Sequence, residues 1–198
     1  MSFKNYFNNK EKNKLCENDG AKVVFAFGRF QPPTKGHELL INKVIEEAKK
    51  QNAHVLIFSS QVVDKKRNPL DWKQKNYFLR ELFPNVNFVM VEKVKSPWQA
   101  VDYLSEQGYT NITMVAGSDR IPEFKKRLAN YAKDLVKKFT VVSSGKRDPD
   151  DNTIGGMSGT NARQAAASNN LGKFRALTGW HGEIAERLMK AVQQGMLK

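Results

Sequence analysis

From residue 22 onward the chain alternates short apolar runs with amphipathic stretches. VVFAF at 23–27 has the continuous apolar character of a buried strand. Ile41, Val44, Ile45 and Ala48 then recur at i, i+3, i+4 and i+7, the spacing of one helix face. HVLIFSS at 54–60 predicts a second strand, and DWKQKNYFLRELF at 71–83 a helix with Asp71 as its N-cap just after Pro69. VNFVMV at 86–91 predicts a third strand. PWQAVDYLSEQG at 97–108 predicts a helix with proline in its first turn, stopped by Gly108. NITMVAG at 111–117, a helical 121–136 and FTVVSS at 139–144 complete the alternation. A polar, turn-rich stretch, GKRDPDDNTIGGM, follows. Another helix opens at SGTNARQAAASN with Ser158 as its N-cap, and a last one carries Ala185, Leu188, Met189 and Val192 on one face. Residues 1–20, rich in Asn and Lys and without a period, read as a polar tail; 21–198 read as a single domain.

Strands and helices in strict alternation predict an α/β fold: a Rossmann-like, doubly wound, five-stranded parallel sheet with C-terminal helices. Ligands of such sheets bind beyond the carboxyl ends of the strands, where the strand order reverses. The loop after the first strand, GRFQPPTKGH at 28–37, lies there.

Composition narrows the class. The 198 residues are 40% hydrophobic and 27% charged, with a mean hydropathy of −0.59. No run approaches the ~20 apolar residues of a membrane span, and MSFKNYFNNKEKNK lacks the apolar core of a secretory signal. Cys16 is the one cysteine, so no internal disulfide forms and a cytoplasmic location is expected. The net charge of +13 points to a polyanionic partner, either nucleic acid or phosphorylated small molecules. The basic residues are dispersed, with small clusters at Lys65–Arg67, Lys125–Arg127 and Lys137–Lys138 and no basic tail with interleaved aromatics. That spread suits a solvated basic surface better than a nucleic-acid grip.

The 28–37 loop fits neither common phosphate motif. A dinucleotide fingerprint requires closer glycines than Gly28 and Gly36, and a P-loop requires lysine after its second glycine, followed by Ser or Thr. What remains is Thr34-Lys35-Gly36-His37 at a helix start. Free N–H groups and the positive dipole end suit a phosphate there. Thr34 can add a hydroxyl, Gly36 permits close approach, His37 can donate from its ring, and Arg29 can take a second phosphate bidentately. By itself His37 equally suits an ordinary capping histidine. SGTNAR at 158–163 opens a second helix with Ser158 and Thr160 at its mouth and Arg163 one turn in. Alone it too reads as a capped helix with a solvated arginine; two phosphate-shaped helix mouths in one sheet protein suggest a triphosphate.

The pair GRFQPPTKGH and SGTNAR resembles the nucleotidylyltransferase superfamily, with its (H/T)-x-G-H and late S-x-T-x-x-R motifs, over about residues 22–178. The resemblance implies nucleotidyl transfer from an NTP, with Mg²⁺ bound mainly through the NTP phosphates and no protein metal ligands. It implies that Thr34 and His37 contact the triphosphate, with His37 on the α-phosphate, that Ser158, Thr160 and Arg163 hold the β- and γ-phosphates, and that Gly159 lines the nucleotide site. Gly28, Arg29, Phe30 and Gly36 would line the nucleotide site. Within the superfamily the chain is similar to archaeal-type nicotinamide mononucleotide adenylyltransferases: FSSQ at 58–61 and NPL at 68–70 resemble that group's segments, and AGSD at 116–119 resembles the family's Gly-x-Asp nucleotide loop. The match implies Gly117 and Asp119 at the nucleotide, Gln61 and Trp98 at the acceptor, and the reaction of ATP with nicotinamide mononucleotide to give NAD.

The chain departs from that group at two places. Thr34 stands where a histidine is usual, and Lys95-Ser96-Pro97 replace a carboxylate before the aromatic residue. Trp98 equally suits a packing anchor and Asp119 a turn residue. DPDDN at 148–152 reads as a solvated turn rather than a metal loop, and His54 and His181 have no metal-ligand partner at a sensible spacing. Two other functions stay open: a cytidylyl- or adenylyltransferase for another phosphorylated acceptor, as in phage-borne cytidylyltransferase-like proteins, and a nucleotide- or nucleic-acid-binding protein that has lost turnover.

Overall fold

The computed structural model describes residues 20–145 and 159–197. The expected tail, Cys16, the 148–152 loop and Ser158 lie outside the described residues. Five strands form one parallel sheet: β1 Ala21–Gly28, β2 His54–Ser59, β3 Phe88–Val89, β4 Tyr109–Ala116 and β5 Lys138–Ser143, in the order β3-β2-β1-β4-β5. Between and after them come α1 Lys35–Gln51, α2 Trp72–Leu82 and α3 Pro97–Glu106. The fourth helical stretch, α4, joins Ile121–Glu123, a π-helical Phe124–Leu128 and Ala129–Ala132. After β5 come α5 Gly159–Ala167, α6 Leu171–Thr178 and α7 Gly182–Leu197. The expected Rossmann-like architecture is the observed one.

β1 shows why its apolar run is continuous. Val23 and Phe25 pack on one face with Leu56, Phe58, Val101, Leu104 and Leu128, while Val24 and Ala26 pack on the other with Leu40, Ile41, Val44 and Ile57. A strand buried on both faces has no place for polar residues. A third cluster joins α2 to the C-terminal helices through Phe78, Ala162, Ala165, Phe174, Leu188 and Val192.

Boundaries follow local chemistry. Asp71 caps α2 as expected, accepting from the Gln74 N–H at 2.8 Å while its own N–H donates to the Gln74 side chain at 3.2 Å. Ser96 caps α3, and Gly108 follows it at φ +86°. The third strand is shorter than the predicted 86–91. It is an edge strand paired only to β2, through Ile57↔Phe88 and Phe58↔Val89. Beyond it the carbonyls of Val91 and Val94 accept from the Gln61 side chain instead of a neighbouring strand. The helix predicted over 121–136 stops at Ala132. Among the described residues no helix is long and apolar enough to cross a membrane.

Candidate functional site

β1 is central, and its neighbours β2 and β4 lie on opposite sides, so the chain reverses direction across β1. The crevice outside the carboxyl ends of β1 and β4 is the switch point. The loop 28–37 sits there and is held from three sides. Gln31, 3% exposed, donates its side-chain amide to the Leu70 carbonyl at 2.7 Å and accepts from the Leu70 N–H at 3.0 Å. The Gln31 carbonyl accepts from Arg163 Nη1 at 2.6 Å. The indole N–H of Trp180 donates to the Pro33 carbonyl at 3.2 Å. A loop with two prolines and several main-chain groups pinned from outside presents its helix mouth in one conformation.

At that mouth Thr34 is the N-cap of α1. Its main-chain N–H donates to His37 Nδ1 at 3.1 Å, and its hydroxyl lies 3.0 Å from the same nitrogen. This is a capping box in which histidine takes the place usually held by Glu or Gln. Because Nδ1 accepts from an N–H, the neutral ring carries its proton on Nε2. The His37 ring packs against Phe30, with centroids 4.8 Å apart. Thr34 is 1% exposed, so its hydroxyl orients the imidazole instead of presenting itself as the separate donor expected from sequence.

Phe30 also differs from expectation. Its ring is fully buried in the core beside Leu40 and Ile41, so it offers no face to a nucleotide. Its backbone has φ +49°, and a Cβ on Gly28 would lie 2.5 Å from its ring. Gly28 therefore makes room for Phe30, and Phe30 supports His37 from behind. Gly36 is half-buried in the first turn and Arg29 is exposed.

The second mouth meets the first. A Cβ on Gly159 would fall 2.7 Å from the Gln31 carbonyl oxygen, so only glycine lets α5 begin this close to the loop. Arg163 donates through Nη2 to Thr160 Oγ1 at 3.1 Å and through Nε to the Lys66 carbonyl at 3.1 Å, besides its bond to Gln31. Its guanidinium is held below the usual arginine range, first by burial and then by Arg29 and Arg67, with Asp64 partly offsetting. The charges of Arg29 and Arg67 thus reach Arg163 and oppose its own. Arg67 was legible in sequence only as part of a surface cluster. The structure builds its loop: Asp64 Oδ1 accepts from the N–H groups of Lys66 and Arg67, and Asp64 bridges to Asn68 through both main-chain groups. The Arg67 N–H first, and then the Asn68 side-chain amide, hold the Asp64 carboxyl below its ordinary range.

The other expected residues follow β2, β3 and β4 in the chain. Gln61 donates to the carbonyls of Val91, Glu92 and Val94 at 3.1–3.2 Å, so its amide staples the turn after β3. Trp98, at the start of α3, is half-buried with its ring 6.3 Å from Phe124. Gly117 caps the turn after β4, and Asp119 is exposed in that turn. Arg120 lies over the Phe124 ring and pairs with Glu123. His54 bonds Tyr109 at 2.7 Å, at the amino ends of the strands and away from the site. Among the described residues no group of three His, Cys, Asp or Glu is placed to hold a metal ion.

A family model described as cytidylyltransferase-like matches residues 25–165. No curated protein matches the chain in sequence. Among solved structures, one reported as a nicotinate-nucleotide adenylyltransferase from Vibrio parahaemolyticus superposes with a TM-score of 0.56 at 20% identity, over 85% of this chain and 99% of that one. One reported as a macrolide-efflux protein from Streptococcus pneumoniae gives a TM-score of 0.49 at 17% identity and covers 80% of this chain; the chain spans 55% of that protein's length. The Vibrio structure shares the fold.

Proposed function

The chain belongs to the cytidylyltransferase-like family of nucleotidyltransferases, and from that premise we propose that it transfers a nucleotidyl group from an NTP to a phosphorylated acceptor with release of pyrophosphate. The observation that carries the reading is the meeting of two helix mouths, through Gly159 and Arg163 on Gln31, beside Arg29 and Arg67. A site where the fields of three arginines overlap suits several phosphates.

In the transfer, an acceptor phosphate oxygen bonds to the α-phosphorus while the bond from that phosphorus to the bridging oxygen breaks, and pyrophosphate carries away the electron pair. Both reactants are anions, so alignment and charge stabilisation do the catalysis. His37, with its proton on Nε2, donates toward the α-phosphate. Arg163, with Thr160 fixing its fork, holds the leaving β- and γ-phosphates. Arg29 and Arg67 take the remaining negative charge. The donors gathered here are cations and hydroxyls, and the Asp64 carboxylate is occupied by its own loop, so Mg²⁺ fits this site as a partner of the NTP phosphates. It supplies further charge neutralisation there.

The specific substrates we propose are ATP and nicotinamide mononucleotide, giving NAD. The resemblance of FSSQ and NPL supports them, as does an aromatic residue, Trp98, placed at the carboxyl edge. The test is pyrophosphate release from ATP or CTP with Mg²⁺ across a panel of phosphorylated acceptors, with products identified by mass. NAD formation supports the full proposal. Release with another pair keeps the transfer and replaces the substrates. ATP binding without release from any pair overturns the transfer.

A further inference from the structure

Lys75 on α2 has no exposed surface and stands among the largest fully buried side chains. Its ammonium donates to the main-chain carbonyl of Ser60 and lies 3.4 Å from the Ser60 hydroxyl. Ser60 follows the last residue of β2, and its N–H donates to the Gly28 carbonyl at 2.9 Å. Two hydrogen bonds therefore run from Lys75 to the residue that precedes Arg29. The next residue of the helix repeats the attachment, since the Asn76 side chain donates to Ser59 Oγ at 3.0 Å.

An apolar side chain would fill this space without the penalty of a buried charge. At the exit of β2 the ammonium meets the uncharged Ser60. The charged group whose field reaches it is Asp71, at the N-cap of its own helix, and burial still brings its pKa down to about 8. A buried cation tied through Ser60 to the residue before Arg29 has a use where an anion binds at that loop.

We propose that Lys75 is a positioning residue of the phosphate site, which fixes the exits of β1 and β2 through Ser60 and whose protonation and the binding of a polyphosphate favour each other. The inference rests on the anion-binding part of the reading above. Binding linked to a proton is reciprocal: a ligand that prefers the charged form raises the affinity of Lys75 for its proton by the same factor.

The test is equilibrium binding of ATP to the full chain at pH 7.5 and pH 9, for the wild type, Lys75→Arg and Lys75→Met, with melting curves on each. At full linkage to a group titrating near pH 8, the wild-type Kd rises about eightfold across that window. Lys75→Arg, which keeps its charge, holds the affinity at both pH values. Lys75→Met binds weakly at both, with no pH dependence. A wild-type Kd that does not change over the window overturns the proposal even if a variant fails to fold, and so does a folded Lys75→Met that binds ATP as the wild type does. Pyrophosphate release is read separately. Proton-linked ATP binding without release removes the transfer and leaves the role of Lys75, whereas release with pH-independent binding does the reverse.

Discussion

Arg163 Nη1 donates to the main-chain carbonyl of Gln31 across 132 residues of sequence, at 2.6 Å. The bond joins the helix mouth after β5 to the loop after β1. With the bonds to Thr160 and the Lys66 carbonyl, it fixes all three nitrogens of the guanidinium. Lysine keeps the charge but cannot reproduce a planar fork with three anchored donors. Arg163→Lys is therefore expected to lower kcat/KM for pyrophosphate release about 100-fold, in the range seen when one preorganised donor is lost. Steady-state kinetics with circular dichroism check it. A variant with full activity would remove Arg163 from the phosphate site.

Gly159→Ala tests the same junction without touching a charge. Alanine ordinarily stabilises a helix relative to glycine by up to about 1 kcal/mol. Here the added methyl would sit 2.7 Å from the Gln31 carbonyl oxygen, a main-chain atom that cannot step aside. The expected outcome is a loss of about 1–3 kcal/mol, the range for overpacking. Gly172→Ala in α6 is the control, since its Cβ would meet only the Asn170 side chain at 3.7 Å. It is expected to raise stability by up to about 1 kcal/mol. Urea unfolding of both variants reads the two signs, and equal signs would contradict the contact.

Much of the scaffold was legible because it rests on local periodicity. The alternation of Val23, Val24, Phe25 and Ala26 between two cores, the Asp71 cap and the Gly108 stop are all short-range signals. β3 ran shorter than its apolar run because pairing depends on neighbours, and Gln61 takes the carbonyls beyond it. The site was legible as two motifs but not as one object. Nothing near Gln31 announces Leu70, Arg163 or the buried ring of Phe30. Arg67 read as surface because its field on Arg163 depends on the Asp64 turn that sets its place in the fold. Lys75 sits in a charged, polar helix start, WKQK, and only packing shows that it is buried.

His37 combines two roles that substitution can separate. Its Nδ1 completes the capping box with the Thr34 N–H, and its Nε2–H is assigned to the α-phosphate. Glutamate is the usual residue at that position of a capping box. His37→Glu is expected to keep the cap while placing a negative charge where the NTP binds, whereas His37→Ala loses both. Melting should show His37→Ala destabilised by about 1 kcal/mol, with His37→Glu nearer the wild type. Pyrophosphate release should be lost in both, with kcat at least about 100-fold down. Retained turnover in His37→Ala would refute the phosphate role and leave His37 as a cap.

Lys75 also sets a pH dependence of stability whose sign follows from its burial. Its folded pKa, about 8, lies below the ordinary lysine value of 10.5. Below pH 8 both folded and unfolded chains hold the proton, and the folded state bears the full penalty of a buried charge. Between 8 and 10.5 the unfolded chain holds the proton more than the folded one, so stability rises with pH. Above 10.5 both are neutral and the penalty is gone. From pH 7 to pH 9.5 the contribution of Lys75 amounts to about 2 kcal/mol in favour of the folded state. Other groups titrate in that range, so the measurement is a difference: urea unfolding of the wild type and of Lys75→Met at both pH values. The stability gap between the two proteins should shift by about 2 kcal/mol toward the wild type as pH rises. A constant gap would mean that Lys75 keeps an ordinary lysine pKa despite its burial. The charge would then be stabilised within the folded protein itself, and no bound anion would be needed to sustain it.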